Sequence, residues 1–441
     1  MKSHSPNQNQ KHIFQPLLDE FINPKDELVI LSKKIEWSFF EKEFEHLYSK
    51  TGSPAKPIRL MIGLMILRRV YNFSDERVVE EWVKNPYYQY FCGEDVFKWT
   101  FPCDPTDLVY FRKRIGTEGV EKILAISISL HGKDAQSKEV CIDSTAQEKN
   151  ITFPTDAKLY RKVISKCNKI ANDEGITQRQ SYKRTVKKNL LKLRFAHHPK
   201  RKKEARKAQR KLKTIAGRLI RELERKLSLK ALEDYHLFLE TAQRIITQKR
   251  TSKNKVYSLH EPDVACIAKG KSHKPYEFGS KVSFAVSMKN VIVSAVSFQG
   301  NPHDSKTLEK TIEQYERLQN RKPAAAILDR GYPGKKEVLG VKLIRPDKPN
   351  KASTIYEKQK ARKRFRRRAG IEPVISHVKH HHRMLKNYLK GIAGDEINAV
   401  MGAAGFNFKS LLRKIKAESL FFICKIKNYI KIIFGFRVLQ A

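Results

Sequence analysis

Ala324 to Leu328, three alanines followed by two aliphatics, is bracketed by Pro323 before it and by Asp329-Arg330-Gly331-Tyr332-Pro333 after it. A short, wholly apolar run suits a strand buried on both faces, and such a strand needs cover on both sides of its sheet, hence an α/β fold. Asp329 closes the run where the chain must turn, the place at which open α/β sheets set their ligands. Taken alone, Asp329 is equally well read as a turn-initiating aspartate. A second acid in the same setting, Asp143 in Val140-Cys141-Ile142-Asp143-Ser144-Thr145, changes the weighing. Two carboxylates on neighbouring central strands repel unless a cation lies between them, and magnesium is the usual one.

The chain of 441 residues carries a formal net charge of +43. That length allows two or three domains, and that excess of cations points to a polyanionic partner. The charge is spread through folded-looking sequence and is not gathered on one amphipathic anchor, which favours nucleic acid over a membrane surface. Cys92, Cys103, Cys141, Cys167, Cys266 and Cys424 form no CxxC pair, so neither a structural zinc nor a disulfide framework is indicated and a reducing cytoplasm is expected. The N-terminus lacks the apolar core of a signal peptide. Phe421 to Phe436 is apolar but broken by Lys425, Lys427 and Lys431, which reads as an amphipathic helix and not as a membrane span.

Along the chain, residues 1–25 read as a polar arm and 26–130 as an all-α unit. Helical spacing runs from Pro57 to Val70, Ser74 caps a helix to Val83, and a third helix covers Thr106 to Ile115 with Arg112, Lys113 and Arg114 upon it. The aromatics at Tyr87, Tyr88, Tyr90 and Phe91 could stack bases, but their spacing fits core packing better. Residues 131–412 carry the sheet, with strands at Val256–Ile267, Lys281–Ser287, Val291–Phe298, Ala324–Asp329 and Lys342–Ile344, and a helix at Ser305–Leu318. They are interrupted at 150–255 by a basic helical insertion. There, nine of the fourteen positions from Lys200 to Lys213 are Lys or Arg, and Leu212, Ile215, Leu219, Leu223 and Leu227 mark an apolar face. One long helix or a hairpin would satisfy this pattern. Its cations suit tracking a phosphate backbone without reading sequence. Residues 413–441 form the amphipathic tail.

A third acid follows a second basic run, in which eight of the eleven positions from Lys358 to Arg368 are Lys or Arg. Glu372 lies between Gly370 and Pro373 on a helical stretch from about Tyr356 to Tyr388. A first-turn acid needs no more explanation than the helix dipole. Arg368, four residues before it, and Lys379, seven after, give it a different setting, because in a continuous helix all three share one face. His377, His380, His381 and His382 could suggest a transition-metal site, but consecutive helical histidines point apart, and surface exposure or DNA contact is the better reading. Asp304, after His303, is a candidate N-cap for the next helix.

The pattern Phe365-x2-Arg368-x3-Glu372-x6-Lys379 resembles the signature of the InsH-like insertion-sequence transposases of the DDE class, with Phe365 where a Tyr usually stands. The phrases Ile142-Asp143-Ser144-Thr145, Lys269-Gly270-Lys271, Tyr276-Glu277-Phe278-Gly279-x-Lys281 and Leu328-Asp329-Arg330-Gly331-Tyr332 are similar to the same group. So is Leu67-Arg68-Arg69-Val70-Tyr71-Asn72-Phe73-Ser74-Asp75-Glu76, and the likeness extends from about residue 55 to 412. It implies an RNase H-like mixed-sheet domain in which Asp143, Asp329 and Glu372 are catalytic and hold two magnesium ions, with manganese able to substitute. It further implies Arg368 and Lys379 on phosphates, and the N-terminal unit reading element ends through Arg112, Lys113 and Arg114. The expected partners are double-stranded DNA, as terminal repeats and target, and further copies of the chain in a homodimer or higher assembly on DNA; the expected location is the bacterial cytoplasm, in association with the nucleoid. A metal-dependent nuclease that cuts without joining, or a non-catalytic DNA-binding protein on the same fold, remains open at this point.

Overall fold

A computed structural model describes residues 15–434 except 50, 52–53, 195, 269–273, 333, 335 and 347–353, with side chains as far as 419. The arm up to residue 14, Pro333, Lys269-Gly270-Lys271 and the side chains of the apolar run from Phe421 lie outside the described residues.

The N-terminal unit consists of α1 (Leu18–Phe21), α2 (Glu27–Lys34), α3 (Trp37–Glu45), α4 (Ile58–Val70), α5 (Asp75–Lys84), α6 (Pro86–Phe91) and α7 (Pro105–Ser129). Local chemistry sets the starts. Ser74 accepts from the Arg77 amide at the head of α5, and Asp104 and Asp107 form a capping box on α7. α7 runs beyond the expected third helix, bending at Gly116, where φ is 61°. α4 is apolar nearly all round, and is buried nearly all round. Tyr88 and Phe91 are buried, as core packing requires.

The sheet follows the order β2 (Ala265–Ala268), β3 (Tyr276–Ser287), β1 (Glu139–Lys149), β5 (Ala325–Ile327), β7 (Val341–Ile344), β6 (Glu337–Val338). β4 (Ile292–Phe298) also pairs with β3, and β8 (Lys386–Asn387) with β1. β3 runs antiparallel to β1, whereas β5 runs parallel to it, so the sheet is mixed. The strand expected over Val256–Ile267 is confined to β2, because Pro262 cannot donate to a ladder. α12 (Leu308–Gln319), α13 (Ile355–Arg368), α14 (Ile371–His381) and α15 (Gly391–Phe434) complete this part. The helical stretch that Pro373 was expected to kink or restart is restarted, as α13 and α14. Pro373 falls in the first turn of α14, where its missing amide costs nothing.

α15 joins the N-terminal unit to the sheet. A Cβ on Gly405 would stand 2.6 Å from the Cβ of Arg69 on α4, so only glycine allows this approach. Buried Asn407 donates to the Ile292 carbonyl and accepts from its amide, extending the β4 edge with a side chain. Arg69, itself buried, donates to Asn398 Oδ1 at 2.8 Å, and Asn398 donates on to Gln147 of β1. One continuous core therefore spans both parts, and the boundary near residue 130 marks a change of secondary structure rather than of core.

The insertion folds as α8 (Asp156–Asp173), α9 (Lys183–Lys192), α10 (Lys202–Lys226) and α11 (Leu229–Thr247) around a second, separate core. The basic pattern falls on one long helix, α10, and α11 follows it directly and packs against it. Leu212, Ile215, Leu219 and Leu223 of α10 are fully buried. Among the described residues no helix is long and apolar enough to cross a membrane.

Candidate active site

β1 and β5 lie side by side at the centre of the sheet, with Cys141 level with Ile327. Two residues further on, this parallel register sets Asp143 beside Asp329. Both readings of Asp329 hold at once. Its Oδ1 accepts from the Gly331 amide at 2.8 Å and so makes the turn, while Oδ2 faces the Arg368 guanidinium at 3.9 Å. Asp143 Oδ1 accepts from the Ser144 amide at 2.7 Å, and its Oδ2 lies 3.5 Å from Arg368 Nη2. Glu372 Oε1 is 3.9 Å from the same nitrogen. One Arg368 nitrogen thus faces all three acids, which arrive from β1, from the end of β5 and from the first turn of α14.

The acids differ in setting. Asp143 has 18% of its side chain exposed and Glu372 69%. Burial pushes the Asp143 carboxyl up to about 6; the Ser144 amide and Arg368 oppose the rise, and Asp329 and Glu372 add to it. Like-charged neighbours in a partly dry site want a cation, and a guanidinium provides one. Arg368 Nε is buried without a hydrogen-bond partner, so this guanidinium is not fully satisfied where it stands. Among the described residues no three His, Cys, Asp or Glu groups close tightly enough to cage an ion as they stand. The donor chemistry nevertheless fits a hard divalent cation, since three carboxylates already converge on one positive centre.

Two other arginines of the basic run fix α13 in place. Arg364 donates to both oxygens of Glu139 at the start of β1, and Arg367 Nε donates to the Met288 carbonyl at 2.7 Å in the β3–β4 turn. Phe365 packs against the main core. Lys379 is half-buried on α14, about 10 Å along the helix from Glu372 on the same face at 1.5 Å per residue.

Sequence reasoning missed the support beneath Asp143. Ser144 Oγ donates to Asp304 Oδ1 at 2.6 Å, and Lys281 Nζ donates to the same oxygen at 3.0 Å. Asp304 is therefore not the N-cap of α12, a position Thr307 takes. The only sequence signal was its place at the end of a strand, which a cap shares. The DNA-contact expectation for Arg112 also needs correcting. Arg112 is 3% exposed and grips both oxygens of Asp75, at 2.8 and 2.7 Å, while Arg68 takes the same carboxylate. Burial alone would raise the Asp75 carboxyl, but the two arginines outweigh it and hold it below its ordinary value. Arg112 is thus a structural fork inside the N-terminal unit. Lys113 and Arg114 are exposed, with Arg114 over the Tyr48 ring. Of the four histidines, His377, His380 and His381 are exposed, whereas His382 is buried with Nδ1 2.8 Å from the Arg69 carbonyl, neither surface nor DNA contact.

Residues 16–114 match a family model described as Transposase domain (DUF772), and residues 243–408 match one described as Transposase DDE domain. The chain is 38% identical over 203 residues to the protein described as "Uncharacterized protein ORF8 in nfe locus" of Rhizobium meliloti, an alignment covering 45% of this chain and 98% of that protein. No solved structure matches. The two family matches leave residues 115–242 uncovered, which takes in most of the insertion and also β1 with Asp143.

Proposed function

This chain belongs to the insertion-sequence DDE transposases, with an RNase H-like sheet domain, and from that premise we propose that it binds the ends of its element, cuts them and joins them to target DNA. The observation that carries the reading is the meeting of Asp143, Asp329 and Glu372 around one cationic nitrogen in a chain of net charge +43.

In this reading Asp143, Asp329 and Glu372 would together hold two divalent ions, magnesium or manganese in its place, which would supply charge stabilisation to an in-line displacement at phosphorus. Asp143 is held for this by the Ser144 amide, and the Ser144–Asp304–Lys281 network fixes the strand behind it. Arg368, at the end of α13, and Lys379, on α14, orient phosphates beside the acids. Water serves as nucleophile for cutting and the freed 3′ hydroxyl for joining, so no covalent protein–DNA intermediate is required. Lys113 and Arg114, with the rest of the N-terminal unit, meet the element end, and two copies of the chain hold the two ends together.

The test is cleavage and joining of a labelled element end with magnesium, by the wild type and by Asp143→Asn, Asp329→Asn and Glu372→Gln. Each substitution is expected to lower both steps by about a hundredfold or more, the scale on which charge-stabilising contacts act, with DNA binding kept. A wild type that cuts but never joins would mark a nuclease. Full activity in Glu372→Gln would remove Glu372 from the site.

A further inference from the structure

On the face of α14 turned away from Glu372 lies a second basic concavity, about 260 Å³ in volume. His377 and His381 line it from α14, and nine residues at 100° each put His381 about half a turn round from Glu372. Lys409 and Arg413 line it from α15, and Tyr71 and Asn72 from the turn that ends α4. No acid lines it. Lys409 is half-buried with Nζ 4.7 Å over the Tyr71 ring, and Arg413 is exposed one helical turn further along the same face.

Two like charges at this spacing destabilise a helix. Burial lowers the Lys409 ammonium from its ordinary value and Arg413 lowers it further; Glu27 on α2 counters this from outside the lining. The walls are built rather than loose. Asn72 donates to the His380 carbonyl, and its own carbonyl accepts from Arg383, so the α4 turn is tied to the end of α14. A walled concavity whose described lining has two cations, three imidazoles and no acid is completed by an anion.

We propose that this concavity binds a phosphate of the DNA backbone, anchoring duplex at the seam between the N-terminal unit and the sheet domain, outside the reacting centre. The proposal rests on the reading of this chain as a DNA enzyme. A phosphate is the fitting class because point charges and imidazole N–H donors recognise its oxygens without reading sequence. Lys409 and Arg413 supply the charge, and His377 and His381 face them across the opening.

The test is binding of a labelled duplex of arbitrary sequence over a series of salt concentrations, by the wild type, Arg413→Glu, Lys409→Gln/Arg413→Gln, and Lys133→Glu as an exposed control with the same charge change as Arg413→Glu. Arg413 is exposed, so its variant is expected to melt with the wild type. Losing a phosphate contact lowers the slope of log affinity against log salt by about 1, so a fall of roughly 1–2 is expected in the two site variants, with affinity reduced about tenfold, and no fall in Lys133→Glu. Slopes equal to wild type in both site variants overturn the proposal. So does an equal fall in Lys133→Glu, which would mean bulk charge alone. If inorganic phosphate raises the melting temperature of the wild type but not of Arg413→Glu, while the DNA slopes agree, the ligand is a free anion and the DNA assignment falls. A wild type whose DNA binding ignores salt sinks the DNA reading itself.

Discussion

Leu212, Ile215, Leu219 and Leu223 on α10 pack only within the helical insertion, whereas Phe408 on α15 belongs to a core shared by the N-terminal helices and the sheet. The first arrangement is a self-contained bundle. The second spans what the sequence suggested were separate domains, and it holds every proposed catalytic acid on its rim. The difference explains how a sheet tolerates so long an interruption between neighbouring strands. Phe153, before α8, and Tyr257, after α11, both lie against Phe278 of β3, with ring centroids 5.4 and 5.3 Å away. The chain leaves and returns at one point, so the bundle adds bulk without disturbing the ladder.

The comparison breaks most visibly on excision. Replacing Pro154 to Val256 by a short Gly/Ser linker is expected to leave the remaining chain folded, because both junction aromatics stay on Phe278. DNA affinity should fall at least about tenfold, and the salt slope by about 0.9 for every phosphate contact removed. An unfolded product would show that the bundle is not independent, and an unchanged slope that its cations do not meet DNA.

Cavity substitutions come next in size. Phe408→Ala is expected to cost about 3–5 kcal/mol and Leu219→Ala about 2–5 kcal/mol. Hydrogen exchange distinguishes them. Phe408→Ala should speed exchange across β1, β4 and α4 together, and Leu219→Ala only in α8 to α11. If both variants loosen the same amides, the two cores are one cooperative unit.

Acid gives the smallest contrast. His131 and His382 are pushed down to about 4, chiefly by burial, and both lie against α15, outside the insertion core. A histidine whose folded pKa is depressed below about 6.5 binds its proton more readily when unfolded. Its contribution is complete above that value and is lost as pH falls from about 6.5 towards 4. At about 1.4 kcal/mol per unit, the roughly 1.5 units between 6.5 and pH 5 amount to about 2 kcal/mol for each group. Denaturant melts at pH 7 and pH 5 should therefore show the main body weakening while the α8 to α11 amides keep their protection. Equal weakening of both regions would contradict the assignment.

Asp143 and Asp329 were legible because each directly follows buried apolar residues, where an acid stands out, although Asp143 proves to lie inside β1 and not at a strand end as Asp329 does. Glu372 was legible only through its company with Arg368 and Lys379, since a first-turn acid is ordinary. Arg112 misled because a basic triplet on a helix looks the same whether it meets a phosphate or an internal aspartate. Asp75, its partner, lies thirty-seven residues away, and no local pattern links them.

What the sequence by itself determined is everything that depends on neighbours along the chain. Ser74 caps α5, the period of Leu212 to Leu223 makes an amphipathic helix, the buried runs make strands, and the net charge calls for a polyanion. Tertiary structure decided which polar group answers which. It set Arg368 among three acids, Asp304 beneath Ser144, Arg112 on Asp75, and Lys409 opposite His377. A buried charge must find a partner within a few ångströms in space, and that partner can come from anywhere in the sequence.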